Sequence, residues 1–335
     1  MKTLSNTAAT VEHSARVARV RAVHRKRTKL AARAHRLGTA LERRGVKATY
    51  ELHDRVLSNR AARRKLSQSP PELDDTQRSI VDALEREGYA TVPFAELVTD
   101  AALRSEVEAQ ADRFTAETEQ ALASDGEGLR RRAGKEFVVR LHSYYGEVGL
   151  EDPWFRACTS RRMLDVANAY LGLWSKLEYV DVWYSIPQEV SSERKASQRW
   201  HRDYNDRHLL KAFLYLVDVD EDTGPFEYVA GSARGGPYAE DWPWRPLSES
   251  YPPQDELAQR IPAEAIKTFT APKGTVIFCN TSGFHRGGFA TARPRVLATV
   301  TYSSPASLAS LTERNYSIPL GTPNGLDPAQ RHALS

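Results

Sequence analysis

Cysteine is scarce in this chain of 335 residues: there are two, Cys158 and Cys279, far apart and in no CxxC or Cys/His cluster. That excludes a disulfide framework and a zinc knuckle and points to two buried thiols. Long apolar runs are missing as well. No stretch approaches the roughly 18 to 20 uncharged apolar residues of a membrane-spanning helix, and the N-terminal stretch lacks the apolar centre of a secretory signal. The expectation is a soluble, cytoplasmic protein without a transmembrane segment. Acidic residues are rare at the start. Residues 1–66 hold 18 of the 47 Lys and Arg but 4 of the 43 Asp and Glu, leaving 29 basic and 39 acidic residues for the remainder. The net charge of +4 therefore conceals a basic arm on an acidic body.

Within the arm, Val17, Val20, Leu30, Leu37 and Leu41 recur at three-, four- or seven-residue spacing among alanines and arginines, which predicts helix. One reading is a solvated helical extension whose thin apolar stripe packs on the acidic body or on a second subunit. The other is a docking element for nucleic acid or an anionic surface. No aromatic residue is interleaved among the charges of residues 1–49, which favours the first. Ser67-Gln-Ser-Pro-Pro71 reads as a linker, so the expected organisation is a basic helical extension over 1–66, a linker over 67–73 and one catalytic body over 74–335.

The body opens with Asp74-Asp75-Thr76, a cap for a helix running to about Glu87 with Ile80, Val81 and Leu84 on one face. Further helical patterns fall at residues 101–123 and 160–170. Short β-rich runs at 89–93, 137–145, 177–186, 209–217, 226–229, 275–279 and 296–302 are separated by Gly, Pro, Asp and Ser turns. Helices first and many short strands afterwards predict a mainly β fold, an antiparallel sandwich or jelly roll with flanking helices outside.

The segment Gln198-Arg-Trp200-His201-Arg-Asp203 runs into the strand beginning at Leu209. On extended backbone, residues two apart project to the same side, so His201 and Asp203 present an imidazole and a carboxylate to adjacent corners of one metal. His285, after the 275–279 strand, is the third candidate ligand. Two histidines and one carboxylate leave three open positions, as oxygen-activating iron(II) requires: two for a 2-oxoacid and one for O₂. Arg295, ten residues beyond His285, supplies the planar two-pronged donor suited to a distal carboxylate. Arg293 is its rival, but it precedes a proline that turns it out of strand register.

Weaker candidates surround these. Gln198 and Trp200 either touch 2-oxoglutarate or serve as a strand-edge hydrogen bond and a core indole. Lys211, at the same parity as Phe213 and Tyr215, points either into the barrel toward an anion or to a carboxylate at the rim. Arg140 and Asn280 are candidate cavity residues, while Tyr204, Asn205, Arg207 and His208 are either substrate neighbours or a solvated loop. Residues 237–259, rich in Trp, Tyr and Pro, form a long interruption between the ligand strands. They read as a lid over the substrate, or as an aromatic plug on the outside.

Together, Trp200-His201-Arg-Asp203, the strand ending Leu214-Tyr-Leu-Val-Asp218-Val-Asp220, the turn Thr223-Gly-Pro-Phe-Glu-Tyr-Val-Ala-Gly231-Ser232 and the closing Phe284-His285 with Arg293-Pro-Arg295 resemble the phytanoyl-CoA dioxygenase superfamily. The resemblance covers roughly residues 74–304, with strong motif agreement from about 198 to 302. It implies a double-stranded β-helix, a cupin-like jelly roll, with iron(II) on His201, Asp203 and His285. It also implies 2-oxoglutarate as co-substrate, held at its far end by Arg295, and O₂ as oxidant. This chain departs from the pattern at Ala230-Gly-Ser-Ala233, where members often carry Pro-Gly-Ser-His. Asp203, an acid where related halogenases have Gly or Ala, occupies the chloride slot and argues for hydroxylation. The expected activity is oxidation of a small-molecule metabolite with release of succinate and CO₂. The alternatives are a catalytically silent jelly-roll binding protein, or an oxygenase whose macromolecular substrate docks on the basic arm.

Overall fold

The computed structural model describes residues 42, 44–124, 129, 131, 134–142, 148–243, 251–308, 314–316 and 325–335. The expected helix through Val17 and Leu41 lies outside the described residues. The chain divides into two compact units, Met1–Thr49 and Tyr50–Ser335. In the first, residues 44–49 are helical.

The second unit begins inside the stretch whose charge suggested a separate arm. It opens with the helical residues 50–55 (α1) and α2 (Ser58–Gln68), and Tyr50, Asn59 and Ala62 are buried. Long-range hydrogen bonds explain this: the Tyr50 hydroxyl donates to Asp206 and the Asn59 amide donates to Ser304 Oγ. Ser67 and Gln68, expected in the linker, are the last residues of α2. The next helix, α3 (Asp75–Glu87), starts where its cap predicts: Asp74 accepts from the Gln77 amide, and Gln77 reciprocates. Gly88, at φ +82°, ends it, and a Cβ there would strike the Tyr228 hydroxyl.

After β1 (Tyr89–Pro93) come α4 (Phe94–Leu97), α5 (Ala101–Ser124), β2 (Val138–Arg140), α6 (Pro153–Cys158) and α7 (Arg161–Leu171). The β-rich half follows: β3 (Lys176–Ser185), β4 (Leu209–Tyr215), β5 (Phe226–Val229), helix α8 (Gln254–Arg260), β6 (Ile266–Phe269), β7 (Thr275–Cys279), β8 (His285–Arg286) and β9 (Arg295–Ser303). Helix α9 (Pro328–Leu334) closes the chain. Two sheets form, in the orders β1-β7-β4-β9-β3-β2 and β6-β5-β8, and every strand pair in them is antiparallel. Strand periodicity divides the core in two. Val296, Ala298, Val300 and Tyr302 of β9, with Leu210, Ala212 and Leu214 of β4, pack with helix residues such as Trp154 and Met163. The alternate residues Leu297, Phe213, Tyr215 and Ile277 face Phe226 and Tyr228 of the small sheet. The result is the expected jelly roll with flanking helices. Among the described residues no helix is long and apolar enough to cross a membrane.

Candidate active site

His201 and His285 come together through backbone before side chains enter. Each donates its amide N–H to the other's carbonyl at 3.0 Å, and the Asp203 amide donates to the Thr281 carbonyl at 3.0 Å. The alternation expected of an extended His-x-Asp then aims both side chains inward. Donor atoms of His201, Asp203 and His285 all lie within 4.8 Å of one another. His201 Nε2 is 3.9 Å from Asp203 Oδ1, and His285 Nε2 is 3.6 Å from Asp203 Oδ2. Both gaps are shorter than twice a metal–ligand bond of about 2.1 Å, so one ion can bridge them.

Proton placement favours the same use. His201 Nδ1 lies 2.8 Å from the Arg199 carbonyl, and His285 Nδ1 lies 3.0 Å from the Gly283 carbonyl. A carbonyl only accepts, so both Nδ1 atoms carry the proton and both Nε2 atoms present lone pairs toward Asp203. Burial, followed by the neighbouring His201, lowers the His285 pKa to about 3, which keeps its imidazole neutral. At Asp203 burial alone would raise the pKa, but the ammonium of Lys211 and the two imidazoles hold the carboxyl well below the usual range. Two imidazoles with Nε2 turned inward and an ionised carboxylate, each 3 to 7% exposed, are a donor set that fits iron(II).

One pocket holds this triad together with Arg295, Lys211, Trp183, Phe213, Phe226 and Leu297. Arg295 opens β9 and is buried. Its Nη1 donates to the Gly224 carbonyl at 2.5 Å, while its buried Nε finds no acceptor among the described residues. A buried guanidinium with donor capacity left over suits a bound carboxylate. The Gly287-Gly288 backbone makes room for it: a Cβ on Gly288 would collide with the Gly224 carbonyl and come within 2.6 Å of Arg295 Nη1. This pair follows directly on His285-Arg286, a signal of close backbone approach that the sequence carried and the motif reading passed over. Arg293 instead pairs with Asp220 at the surface.

Lys211 takes up a position between its two expected alternatives: it lines the pocket, and Nζ is 2.6 Å from Asp203 Oδ2. The remaining candidates lie outside the pocket lining. The Gln198 amide is engaged in a tight turn, accepting from the Lys195 N–H and donating to Gln188. Trp200 is buried in a small core with Phe284, Leu257 and Ile261, under the Arg286 guanidinium. Arg140 stacks on Trp183, itself a pocket residue, and donates to the Tyr179 hydroxyl. Asn280 donates to the Tyr170 hydroxyl. Asn205, Arg207 and His208 face Glu178, Glu51 and Asp54, respectively, rather than the metal donors. Of the expected lid, residues 244–250 lie outside the described residues. Tyr251 stacks on the His201 ring at 5.5 Å, Gln254 clasps the Trp200 backbone, and Trp242 packs on Phe284. The segment thus covers one metal donor and also packs on the small core. Arg202, between the two ligands, was not anticipated. It points the other way, over Phe284, and donates to the carbonyls of Ser232, Ser282, Tyr238, Ala239 and Asp241.

No curated protein matches the chain. Among solved structures, it is similar to the epimerase SnoN in complex with Fe3+, alpha ketoglutarate and nogalamycin RO (22% identity, TM-score 0.45, covering 76% of this chain and 93% of that one). It is also similar to EctD from S. alaskensis with 2-oxoglutarate and 5-hydroxyectoine (17%, 0.49, 76% and 89%). A third is AviO1 from Streptomyces viridochromogenes Tue57 (18%, 0.48, 71% and 98%). At such scores these likenesses carry no argument about the site. The sequence model described as phytanoyl-CoA dioxygenase (PhyH) matches residues 84–296, from within α3 through the two histidines to the first residues of β9. Because that span is most of the chain and contains every donor just described, this protein belongs to the phytanoyl-CoA dioxygenase family and is a non-haem iron(II), 2-oxoglutarate-dependent dioxygenase.

Proposed function

We propose that this enzyme hydroxylates a small-molecule metabolite, with His201, Asp203 and His285 as the iron ligands and Arg295 as the anchor of the far carboxylate of 2-oxoglutarate. The observation that carries the reading is the shared pocket: three mutually close donors line it together with a buried guanidinium whose Nε has no acceptor among the described residues. Bound iron(II) would supply O₂ activation coupled to oxidative decarboxylation of the 2-oxoacid. The protein's part is geometry. Arg295 orients the co-substrate, Phe213, Phe226 and Leu297 form a dry wall around it, and Tyr251 screens one imidazole. Hydroxylation rather than halogenation is favoured because Asp203 takes the position that a halide would need. Burial of all three donors favours a reacting carbon on a molecule small enough to enter the pocket. The buried, unpaired Cys158 and Cys279 suit a reducing, cytoplasmic setting.

Substrate-stimulated succinate release, screened across candidate metabolites, tests this directly. His201→Ala, Asp203→Ala and His285→Ala are each expected to abolish release and iron binding. Arg295→Ala is expected chiefly to raise the KM for 2-oxoglutarate. If Arg293→Ala did so instead, the anchor assigned here would be wrong.

A further inference from the structure

Neither the metal donors nor the co-substrate anchor calls for a second cation in the pocket, yet Lys211 is there. In register it sits on β4 between Cys279 of β7 and Thr301 of β9, and Nζ lies 2.6 Å from Asp203 Oδ2. Both side chains are largely shielded, at 18% and 10% exposure. Both oxygens are turned toward the imidazoles, Oδ1 toward His201 Nε2 and Oδ2, the one beside Lys211, toward His285 Nε2 at 3.6 Å, so without a partner both could reach one ion. We propose that Lys211 is a positioning residue: it holds one oxygen of Asp203 so that the carboxylate gives the metal a single donor atom and cannot chelate it. The inference rests on the iron-site reading above.

The requirement comes from counting positions. Two imidazoles and a one-oxygen carboxylate leave three sites on a six-coordinate ion, two for the 2-oxoacid and one for O₂. A carboxylate free to rotate can bind through both oxygens, as carboxylates do at other metal centres, and would take one of those three. An ammonium suits the task because it is a compact point donor that engages one oxygen, whereas a guanidinium would fork across both. Strands β7 and β9 flank Lys211 on either side, with Cys279 and Thr301 as its register partners.

The test separates metal uptake from co-substrate uptake. Anaerobic Fe(II) binding is measured by equilibrium dialysis, and 2-oxoglutarate is then titrated into the iron-loaded protein by its visible charge-transfer absorption. In Lys211→Met, iron is expected to bind at least as tightly as in the wild type. 2-Oxoglutarate affinity is expected to fall by about ten-fold or more, the usual scale for loss of a residue that orients a ligand. Lys211→Arg is expected to lower iron affinity instead, because its fork covers both oxygens. A folded Lys211→Met protein with wild-type 2-oxoglutarate affinity and absorption would overturn the inference while leaving the iron site intact. Wild-type protein that takes up no iron would overturn both. If Lys211→Met does not fold, Lys211→Gln, uncharged and shorter, is read in the same two titrations against the same criteria.

Discussion

Between His201 and Asp203 the alternation of an extended strand sends Arg202 to the opposite side, where five backbone carbonyls and the Phe284 ring receive it. The metal donors and the staple of the 238–241 backbone are therefore neighbours in sequence by geometric necessity. Arg202→Met would leave the buried carbonyls of Ser232 and Ser282, and the half-buried ones of Tyr238, Ala239 and Asp241, without this donor. Unsatisfied groups cost about 1 to 3 kcal/mol each, so a loss above roughly 3 kcal/mol is expected in denaturant unfolding. A loss under about 1 kcal/mol would mean that water replaces the guanidinium. Gly288 is constrained by space alone. Gly288→Ala forces the Gly224 carbonyl and Arg295 apart, and overpacking of this kind costs about 1 to 3 kcal/mol. The expected signature is a lowered Tm with a several-fold rise in the KM for 2-oxoglutarate. The metal triad was legible at this scale because His-x-Asp has a geometric meaning on any extended backbone. Gln198 and Trp200 have the opposite parity, that of Arg202: Trp200 joins the Phe284 core on that side, and Gln198 sits in the 3₁₀ turn Ala196–Gln198.

Helix α9 shows how an element far from the chemistry responds to pH. His332 donates from Nε2 to the Trp174 carbonyl, and its Nδ1 accepts from Lys65. Burial, with Lys176 and Lys65 nearby, lowers its pKa to about 4 from an ordinary value of 6.5. The unfolded chain therefore binds this proton at a higher pH than the folded one. The stabilisation from a neutral His332 is complete above pH 6.5 and declines as pH falls toward 4. Tm measured across that window is expected to fall with acidification, and His332→Gln should flatten the slope. An unchanged slope would assign the acid sensitivity elsewhere. Clearly patterned strands were readable: β1, β5 and β7 have the bounds that their sequence suggested. The two-residue β8 was not, because it is too short to display a period, and β6 was not, because the adjacent Lys267 and Thr268 break the alternation that β5, of equal length, keeps. β8 nonetheless carries His285, and its pairing with β5 places that ligand.

Taken whole, residues 50–335 form one compact unit, and its first helices hold the segment that follows Asp203. Tyr50 bonds Asp206, which also accepts from the Ser304 amide, and Asp54 gathers Asn59, Arg63 and His208. A protein beginning at Tyr50 is expected to fold and to bind iron. One beginning at residue 67 would leave Asp206, fully buried, without the Tyr50 hydroxyl, and is expected to be insoluble or to melt markedly lower. Circular dichroism and iron uptake of the two proteins check this, and equal behaviour would deny α1 and α2 a structural role.

By itself the sequence determined the class of fold and singled out His201, Asp203 and His285 as expected donors, with Arg295 as the proposed anchor. The His-x-Asp pair is carried by residue type and a two-residue spacing that holds wherever backbone is extended, and the fold by helices followed by many short strands. Only the tertiary structure decided where the body starts, that Lys211 points at Asp203, and that Arg140, Asn280 and Trp200 are engaged in packing. Those outcomes depend on side chains brought together by the folding of separate segments, and a linear pattern holds no distance between them. Of the segment that charge marked as an arm, it is the uncharged Tyr50 hydroxyl that meets the buried Asp206, while Arg63 pairs with Asp54 beside it.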